Sequence, residues 1–141
     1  MTIELVPLGT LRVNLAEPIV VGQTPKGTRV IVELTDARFE GERLRARLKG
    51  AAAADWALIG PDGTCALDIR YTLETDDGAV IFLSYSGRLD LSGGPGTAPV
   101  YSTPQFETGD ERYAWLNKVQ AVAKGVFDPE NVLTLEVYEL K

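Results

Sequence analysis

The 141-residue sequence contains no histidine. Without histidine, Ser-His-Asp and Cys-His catalytic arrangements and zinc sites with imidazole ligands are excluded. Any acid–base chemistry must therefore use Asp, Glu, Tyr, Lys or Arg side chains, or a bound water. Cys65 is the only cysteine, so an internal disulfide cannot form. Because Arg70 is its only nearby basic residue, we expect the Cys65 thiol to be inert.

The sequence also lacks long apolar runs and basic clusters. No apolar run approaches the roughly 20 residues of a membrane-spanning helix. The net charge is −6, which disfavours nucleic acids and anionic membranes as partners. Residues 1–5 have neither the basic nor the apolar region of a signal peptide, so we expect a cytoplasmic protein. A turn explains the adjacent Asp76 and Asp77, and we expect neither a metal site nor a cofactor.

Short segments of alternating apolar and polar residues are separated by turns rich in Gly, Pro and Asp along the whole chain. This pattern predicts an all-β fold with about nine or ten strands, in one domain over residues 1–141. Sequential hairpins favour a closed antiparallel barrel over a sandwich, because closure removes free strand edges. A barrel of this size can hold one small ligand in its mouth.

Three segments between the clear strands have weaker patterns. We expect residues 50–54, which include four alanines, to form a loop, because four alanines make barely one helical turn. Residues 101–108 are predicted to form one strand with Pro104 at an edge or bulge. Residues 112–122 are predicted to form another strand.

The central hairpin has the most informative pattern. Asp77-Gly78 favours a two-residue turn, in which Asp76 pairs with Ala79 and Arg70 lies opposite Tyr85. The first strand has a polar face and an apolar face, because successive side chains alternate. The polar face consists of Asp68, Arg70, Thr72 and Glu74, and the apolar face of Leu67, Ile69, Tyr71 and Leu73.

The polar face of this hairpin predicts a catalytic site if it points into the barrel. Arg70 would then bind a carboxylate, enolate or phenolate oxygen, and Asp68 or Tyr85 would move a proton. The alternative is an ion pair between Asp68 and Arg70 on the barrel wall. The apolar face would pack in the core or form a subunit contact.

Several blocks of the sequence together resemble the domain of unknown function 3237 family over about residues 3–140. They are Gly27-Thr28-Arg29, Asp55-Trp56, residues 67–78, Tyr85 with Gly87, and residues 106–117. The resemblance implies a compact antiparallel β-barrel similar to calycin-type barrels, in a family with little assigned biochemistry. This chain departs from the family pattern at Thr35-Asp36, where a Gly-Gly pair is favoured, and at residues 51–54, where glycines are favoured. Ligand specificity is expected to differ if these segments rim a pocket.

Two further groups are candidates for ligand binding. Trp56 would cover a ligand with Asp55 as its polar partner, or else Trp56 closes one end of the barrel and Asp55 caps a turn. If Glu107, Trp115 and Asn117 point inward, Asn117 is an oriented donor and Trp115 an aromatic wall. If they point outward, they are ordinary strand residues.

The leading functional hypothesis is an enzyme with its site in the barrel lumen. It would act without a cofactor on an aromatic or polyketide-like carbonyl or phenol compound, by isomerisation, hydration or elimination. One alternative is a lipocalin-like carrier or sensor that binds a small molecule without turnover. Another is an assembly module, such as a homodimer formed through the apolar face of the hairpin.

Overall fold

The computed structural model describes residues 1–141, which form ten β-strands and one 3₁₀ helix. The strands are β1 (Leu5–Leu15), β2 (Ile19–Thr24), β3 (Gly27–Glu40), β4 (Arg45–Ile59), β5 (Thr64–Thr75), β6 (Val80–Asp90), β7 (Val100–Ser102), β8 (Gln105–Glu107), β9 (Ala121–Phe127) and β10 (Val132–Leu140). The 3₁₀ helix spans Glu111–Lys118, between β8 and β9. No helix is long and apolar enough to cross a membrane.

Eight of these strands close into an antiparallel barrel. Strands β3, β4, β5, β6, β7, β9, β10 and β1 follow one another around it, and pairing of β1 with β3 completes the circle. The two remaining strands lie outside this circle, because β2 pairs only with β3 and β8 only with β6. The predicted all-β barrel of about nine or ten strands is therefore confirmed. A specific kinship with calycins stays a prediction.

Side chains alternate between the barrel interior and solvent along each long strand. On β5, the apolar face from Leu67 to Leu73 is buried, whereas the polar face is largely exposed. The inward side chains of the strands form one hydrophobic cluster, which includes Leu11, Phe39 and Leu135. The apolar face of β5 is thus part of the interior and is not a subunit contact. A homodimer formed through another surface stays a prediction.

The register of the β5–β6 hairpin differs from the prediction by one residue. Glu74 pairs with Val80, and the backbone N–H of Thr75 donates to the carbonyl oxygen of Ala79 at 2.8 Å. The loop therefore has three residues and ends at Gly78, whose φ of 94° is in the left-handed region. A three-residue loop with glycine in that position is a common hairpin connection. A shift of one residue reverses which face of the partner strand lies opposite each side chain.

Strand β4 continues through residues 50–54, where the sequence predicted a loop. Along the β4–β5 pairing, β4 advances from Lys49 to Ala54 while β5 advances only from Thr72 to Arg70. The extra β4 residues form a bulge, and Gly50 has a φ of 77° there. The bulge keeps the strand continuous without turning the chain back.

The two other weak segments also differ from their predictions. Residues 101–108 form two short strands, β7 and β8, because the chain breaks around Pro104. Most of the predicted strand at 112–122 is the 3₁₀ helix, which begins where the Asp110 carboxylate accepts the Arg112 N–H at 2.9 Å. Only Leu116 of this helix is buried, so the helix left no clear amphipathic pattern in the sequence.

Close packing of β9 on β10 depends on Gly125. A Cβ atom at this position would overlap the backbone carbonyl oxygen of Thr134 and contact the Leu135 side chain. We expect Gly125→Ala to lower the free energy of unfolding by about 1–3 kcal/mol, because overpacking forces the backbone to shift. Urea denaturation measures this change.

The matched control is Gly109→Ala, because a Cβ atom at Gly109 would meet no heavy atom within 4 Å. It should change the free energy of unfolding by no more than about 0.5 kcal/mol. Equal effects of the two substitutions would contradict the packing argument.

Candidate functional site

The barrel encloses a cavity of about 660 Å³. Of its 24 lining residues, 17 are hydrophobic, and none is a lysine or an arginine. The lining residues with polar atoms in their side chains are Asp55, Cys65, Tyr85, Asp128 and Asn131. Such a volume with a few polar groups on an apolar wall is typical of small-molecule sites.

Asp55 is a buried carboxyl group on the wall of this cavity. It lies on β4, and its Oδ1 accepts a hydrogen bond from the backbone N–H of Asp68 at 3.0 Å. Burial raises the pKa of Asp55 from 3.8 to about 6, and that hydrogen bond opposes the rise, while the negative charge of Asp68 adds to it. The carboxyl group therefore loses its proton close to neutral pH, as a general base must.

Tyr85 lies on β6 opposite Ile69, and its side chain also lines the cavity. Its hydroxyl oxygen is 3.2 Å from that of Tyr71, and the two rings meet edge to face with centroids 5.9 Å apart. Burial raises the pKa of both phenols above the ordinary value, and the charge of Asp55 raises that of Tyr85 further. Both tyrosines therefore keep their protons and can act as hydrogen-bond donors at neutral pH.

Cys65 is the third polar group beside Asp55. Burial raises the pKa of the Cys65 thiol to about 11, and the charge of Asp55 contributes to the rise. Cys65 is therefore a neutral thiol at physiological pH, and it lines the cavity as a small weakly polar side chain.

The prediction that Asp68 and Arg70 face the lumen is wrong. Their side chains are 60% and 51% exposed on the outer face of β5, where Arg70 Nε lies 3.6 Å from Asp68 Oδ1. The Arg70 guanidinium also stacks on Trp56, 4.3 Å from the ring centroid. The arrangement is the alternative that the sequence left open, an ion pair on the barrel wall. Asp68 reaches the site only through its backbone N–H.

The other predicted ligand-binding residues lie outside the cavity. Trp56 faces outward because it alternates with the buried Asp55. Trp115 lies on the 3₁₀ helix, and the Arg43 guanidinium stacks on its ring. Glu107 and Asn117 line a shallow surface depression of about 270 Å³. The Asn117 amide accepts the Thr108 N–H and donates to its carbonyl oxygen, so it joins the helix to the end of β8.

Among the predicted site residues, only Asp55 and Tyr85 line the cavity. The sequence predicts an inert thiol at Cys65 and a packing residue at Tyr71, and it places neither residue at the site. Both belong to the inward row of β5, in which the other residues are apolar except Thr75 at the end of the strand. That local exception was the available signal.

The model of the family described as "Protein of unknown function (DUF3237)" matches residues 3–140. A UPF0311 protein from Clostridium acetobutylicum is 26% identical over 144 residues, which cover 93% of this chain and 90% of that protein.

Solved structures share the same barrel. A β-barrel-like protein from Acinetobacter baumannii AYE is 33% identical to the chain, with a TM-score of 0.86. The match covers 100% of this chain and 98% of that one.

Enzymes from Penicillium herquei are also similar to the chain. A hydroalkoxylation enzyme from this fungus is 36% identical over 62 residues, which cover 44% of this chain and 35% of the enzyme. The crystal structure of an enzyme from the same fungus has a TM-score of 0.72 and 22% identity, over 99% of this chain and 94% of that one. At that identity the structural match shows a shared fold alone.

The raised pKa of Asp55 predicts a pH-dependent penalty on stability. Because the folded pKa is about 6 and the ordinary value is 3.8, the folded state holds the proton more tightly, and stability falls as pH rises between these values. The carboxylate therefore destabilises the protein by about 3 kcal/mol above pH 6. Asp55→Asn removes the charge, so its stability relative to wild type should increase by up to about 3 kcal/mol between pH 4 and pH 8.

Urea denaturation at several pH values measures this difference. Asp68→Asn is the matched control, because its side chain is exposed on the other side of the same wall. It should show only a small part of this pH dependence, through the effect of its charge on Asp55. If the free energies of unfolding of Asp55→Asn and wild type differed by the same amount from pH 4 to pH 8, the raised pKa of Asp55 in the folded state would be contradicted.

Proposed function

The chain belongs to the DUF3237 family, and on this premise we propose that it is an enzyme that adds an O–H group across a carbonyl-conjugated C=C bond. The substrate class is a neutral aromatic or polyketide-like compound that binds in the barrel cavity. The observation that carries the proposal is Asp55, a buried carboxyl group whose pKa lies near neutrality on a mostly apolar cavity wall. A general base works best when its pKa lies near the working pH.

The reaction needs one base and one hydrogen-bond donor. The Asp55 carboxylate takes the proton of the attacking hydroxyl group, whose oxygen forms a bond to the β-carbon as the C=C π bond breaks. The electron pair moves onto the carbonyl oxygen, and the Tyr85 hydroxyl, on the same cavity wall, stabilises this enolate by a hydrogen bond. Protonated Asp55 then returns the proton to the α-carbon.

The proton and electron balance closes within the substrate. One O–H bond and one C=C π bond break, and one C–O bond and one C–H bond form. No oxidant, reductant or cofactor is consumed, so two ordinary side chains suffice. The reverse reaction is an elimination through the same enolate.

The cavity lining favours neutral substrates. No lysine or arginine lines it, and both acidic lining residues, Asp55 and Asp128, repel anions. Burial of a carboxylate ligand without a cationic partner is costly. Arg70, which the sequence predicted to bind a carboxylate, enolate or phenolate oxygen, lies outside the cavity. We therefore propose that the cavity binds uncharged compounds.

A relative supports the type of bond that is formed. Hydroalkoxylation, the activity named for the Penicillium herquei relative, is the addition of an alcohol O–H across a carbon–carbon double bond. The hydration considered from the sequence is the same addition, with water in place of the alcohol. The two lines of reasoning therefore support one reaction class.

A carrier is the second candidate function, and the predominance of hydrophobic residues around the cavity favours it. A carrier would bind the same compounds, but it would not convert them. Binding and turnover therefore have to be measured separately.

The test uses 2′-hydroxychalcone, whose phenol adds across a carbonyl-conjugated C=C bond to give flavanone, within a panel of neutral hydroxy-enones. We expect turnover above the spontaneous rate, and the loss of chalcone absorbance measures it. Asp55→Asn should lower the enzyme-dependent rate by about 10²–10⁴-fold, because it removes the base. In wild type, kcat/KM should fall about tenfold per pH unit below pH 6, as Asp55 becomes protonated.

Two controls lie on the outer face of the same wall. Arg70→Met should leave turnover close to wild type, because its side chain is exposed outside the cavity. Asp68→Asn removes a charge that raises the pKa of Asp55, so it should only move the acid limb of the pH profile to lower pH. Binding of the panel without conversion by wild type would favour the carrier. Equal activity of Asp55→Asn and wild type would reject Asp55 as the base.

A further inference from the structure

The surroundings of Tyr71 and Tyr85 determine which of the two hydroxyl groups donates the hydrogen bond between them. Tyr71 is fully buried and does not line the cavity, and its hydroxyl has the Tyr85 hydroxyl as its only hydrogen-bond partner. Tyr85 differs, because its side chain reaches the cavity wall. At an oxygen–oxygen distance of 3.2 Å, geometry alone allows either tyrosine to donate.

The two directions differ in what they leave unsatisfied. If Tyr85 donated to Tyr71, the Tyr71 proton would lie in the core without an acceptor, and buried donors without partners are costly. If Tyr71 donates, its proton is bound by the Tyr85 oxygen. The proton of Tyr85 is then free to point into the cavity. The second direction satisfies both hydroxyl groups once a ligand is bound.

We propose that Tyr71 is a positioning residue that makes Tyr85 a hydrogen-bond donor to the ligand. This inference rests on the proposed function, and it defines the substrate class more closely. A ligand must present an acceptor oxygen to Tyr85, because the Tyr85 oxygen already accepts from Tyr71.

Asp55 supplies the complementary group on the same cavity wall. Its Oδ1 accepts the Asp68 N–H, whereas no hydrogen bond from the protein reaches Oδ2. An ionised carboxylate only accepts hydrogen bonds. The site therefore pairs one fixed donor, Tyr85, with one fixed acceptor, Asp55. This pair selects neutral compounds that carry a carbonyl oxygen and a hydroxyl group, such as hydroxy-enones.

The first test needs no ligand. Trifluorotyrosine at position 85 brings the phenol into a pKa range that can be titrated by ¹⁹F NMR. A hydrogen bond received from Tyr71 stabilises the phenolate of residue 85. We therefore expect Tyr71→Phe to raise the pKa of residue 85 by about one unit. A fall would show that Tyr71 accepts, and either a fall or no change would overturn the inference.

Tyr101→Phe is the matched control, because Tyr101 is exposed on β7. It removes a hydroxyl group outside the cavity and should leave the titration of residue 85 unchanged. A change as large as that of Tyr71→Phe would mean that the titration does not report the Tyr71 hydrogen bond, and would overturn the inference.

The second test uses flavanone, a neutral ketone, and the infrared stretching frequency of its carbonyl group. Bound flavanone should show a lowered frequency in wild type, a smaller shift in Tyr71→Phe and none in Tyr85→Phe. Trifluorotyrosine at position 71 retains the phenol ring and its hydroxyl group. Because its hydroxyl group is a stronger hydrogen-bond donor, this variant should lower the carbonyl frequency further. This variant answers the question even if Tyr71→Phe does not fold.

The outcomes separate this inference from the proposed function. Equal carbonyl frequencies in wild type and Tyr85→Phe would overturn the inference, while Asp55-dependent turnover would still support the enzyme. Turnover that does not depend on Asp55 would reject the proposed function, whereas the titration of residue 85 measures the direction of the tyrosine pair independently.

Discussion

Pairing of β1 with β3 is the contact on which the rest of the structure depends. This pairing closes the sheet into a barrel and thereby creates an interior. Once the wall is closed, alternation along each strand determines whether a side chain meets solvent or the interior. Asp55 and Trp56 are neighbours in sequence, yet one titrates in a cavity and the other stacks against an exposed arginine. Their different chemistry follows from closure alone.

The sequence predicted the barrel but not the side of the wall on which the central hairpin presents each group. Alternation along β5 was read correctly, because a strand with one apolar face and one polar face is unambiguous. The error came from placing the Asp68 and Arg70 face inside. A cavity lined by apolar residues has the same pattern as a solid core, so no periodicity distinguishes them. The one-residue error in the loop before Ala79 then moved Tyr85 opposite Arg70, whereas it pairs with Ile69.

Two cavity-lining residues were singled out from the sequence for reasons that only partly held. Asp55 was singled out beside Trp56 as half of a ligand-binding pair, but the tryptophan faces outward and only Asp55 lines the cavity. Tyr85 was chosen as a neighbour of Arg70, but its partner is Tyr71. Burial gives both residues their chemical character, since it raises the pKa of each. Burial depends on the whole wall, and a short sequence window cannot reveal it.

The wall between solvent and cavity is a single backbone layer at Asp68. The amide of this residue donates to the cavity acid, whereas its carboxylate lies in water on the other side. The charge of that carboxylate still raises the pKa of Asp55. The reactivity of the interior can therefore be adjusted from the exterior. Surface substitutions near this point, or changes in ionic strength, retune the enclosed acid while the shape available to a ligand stays the same.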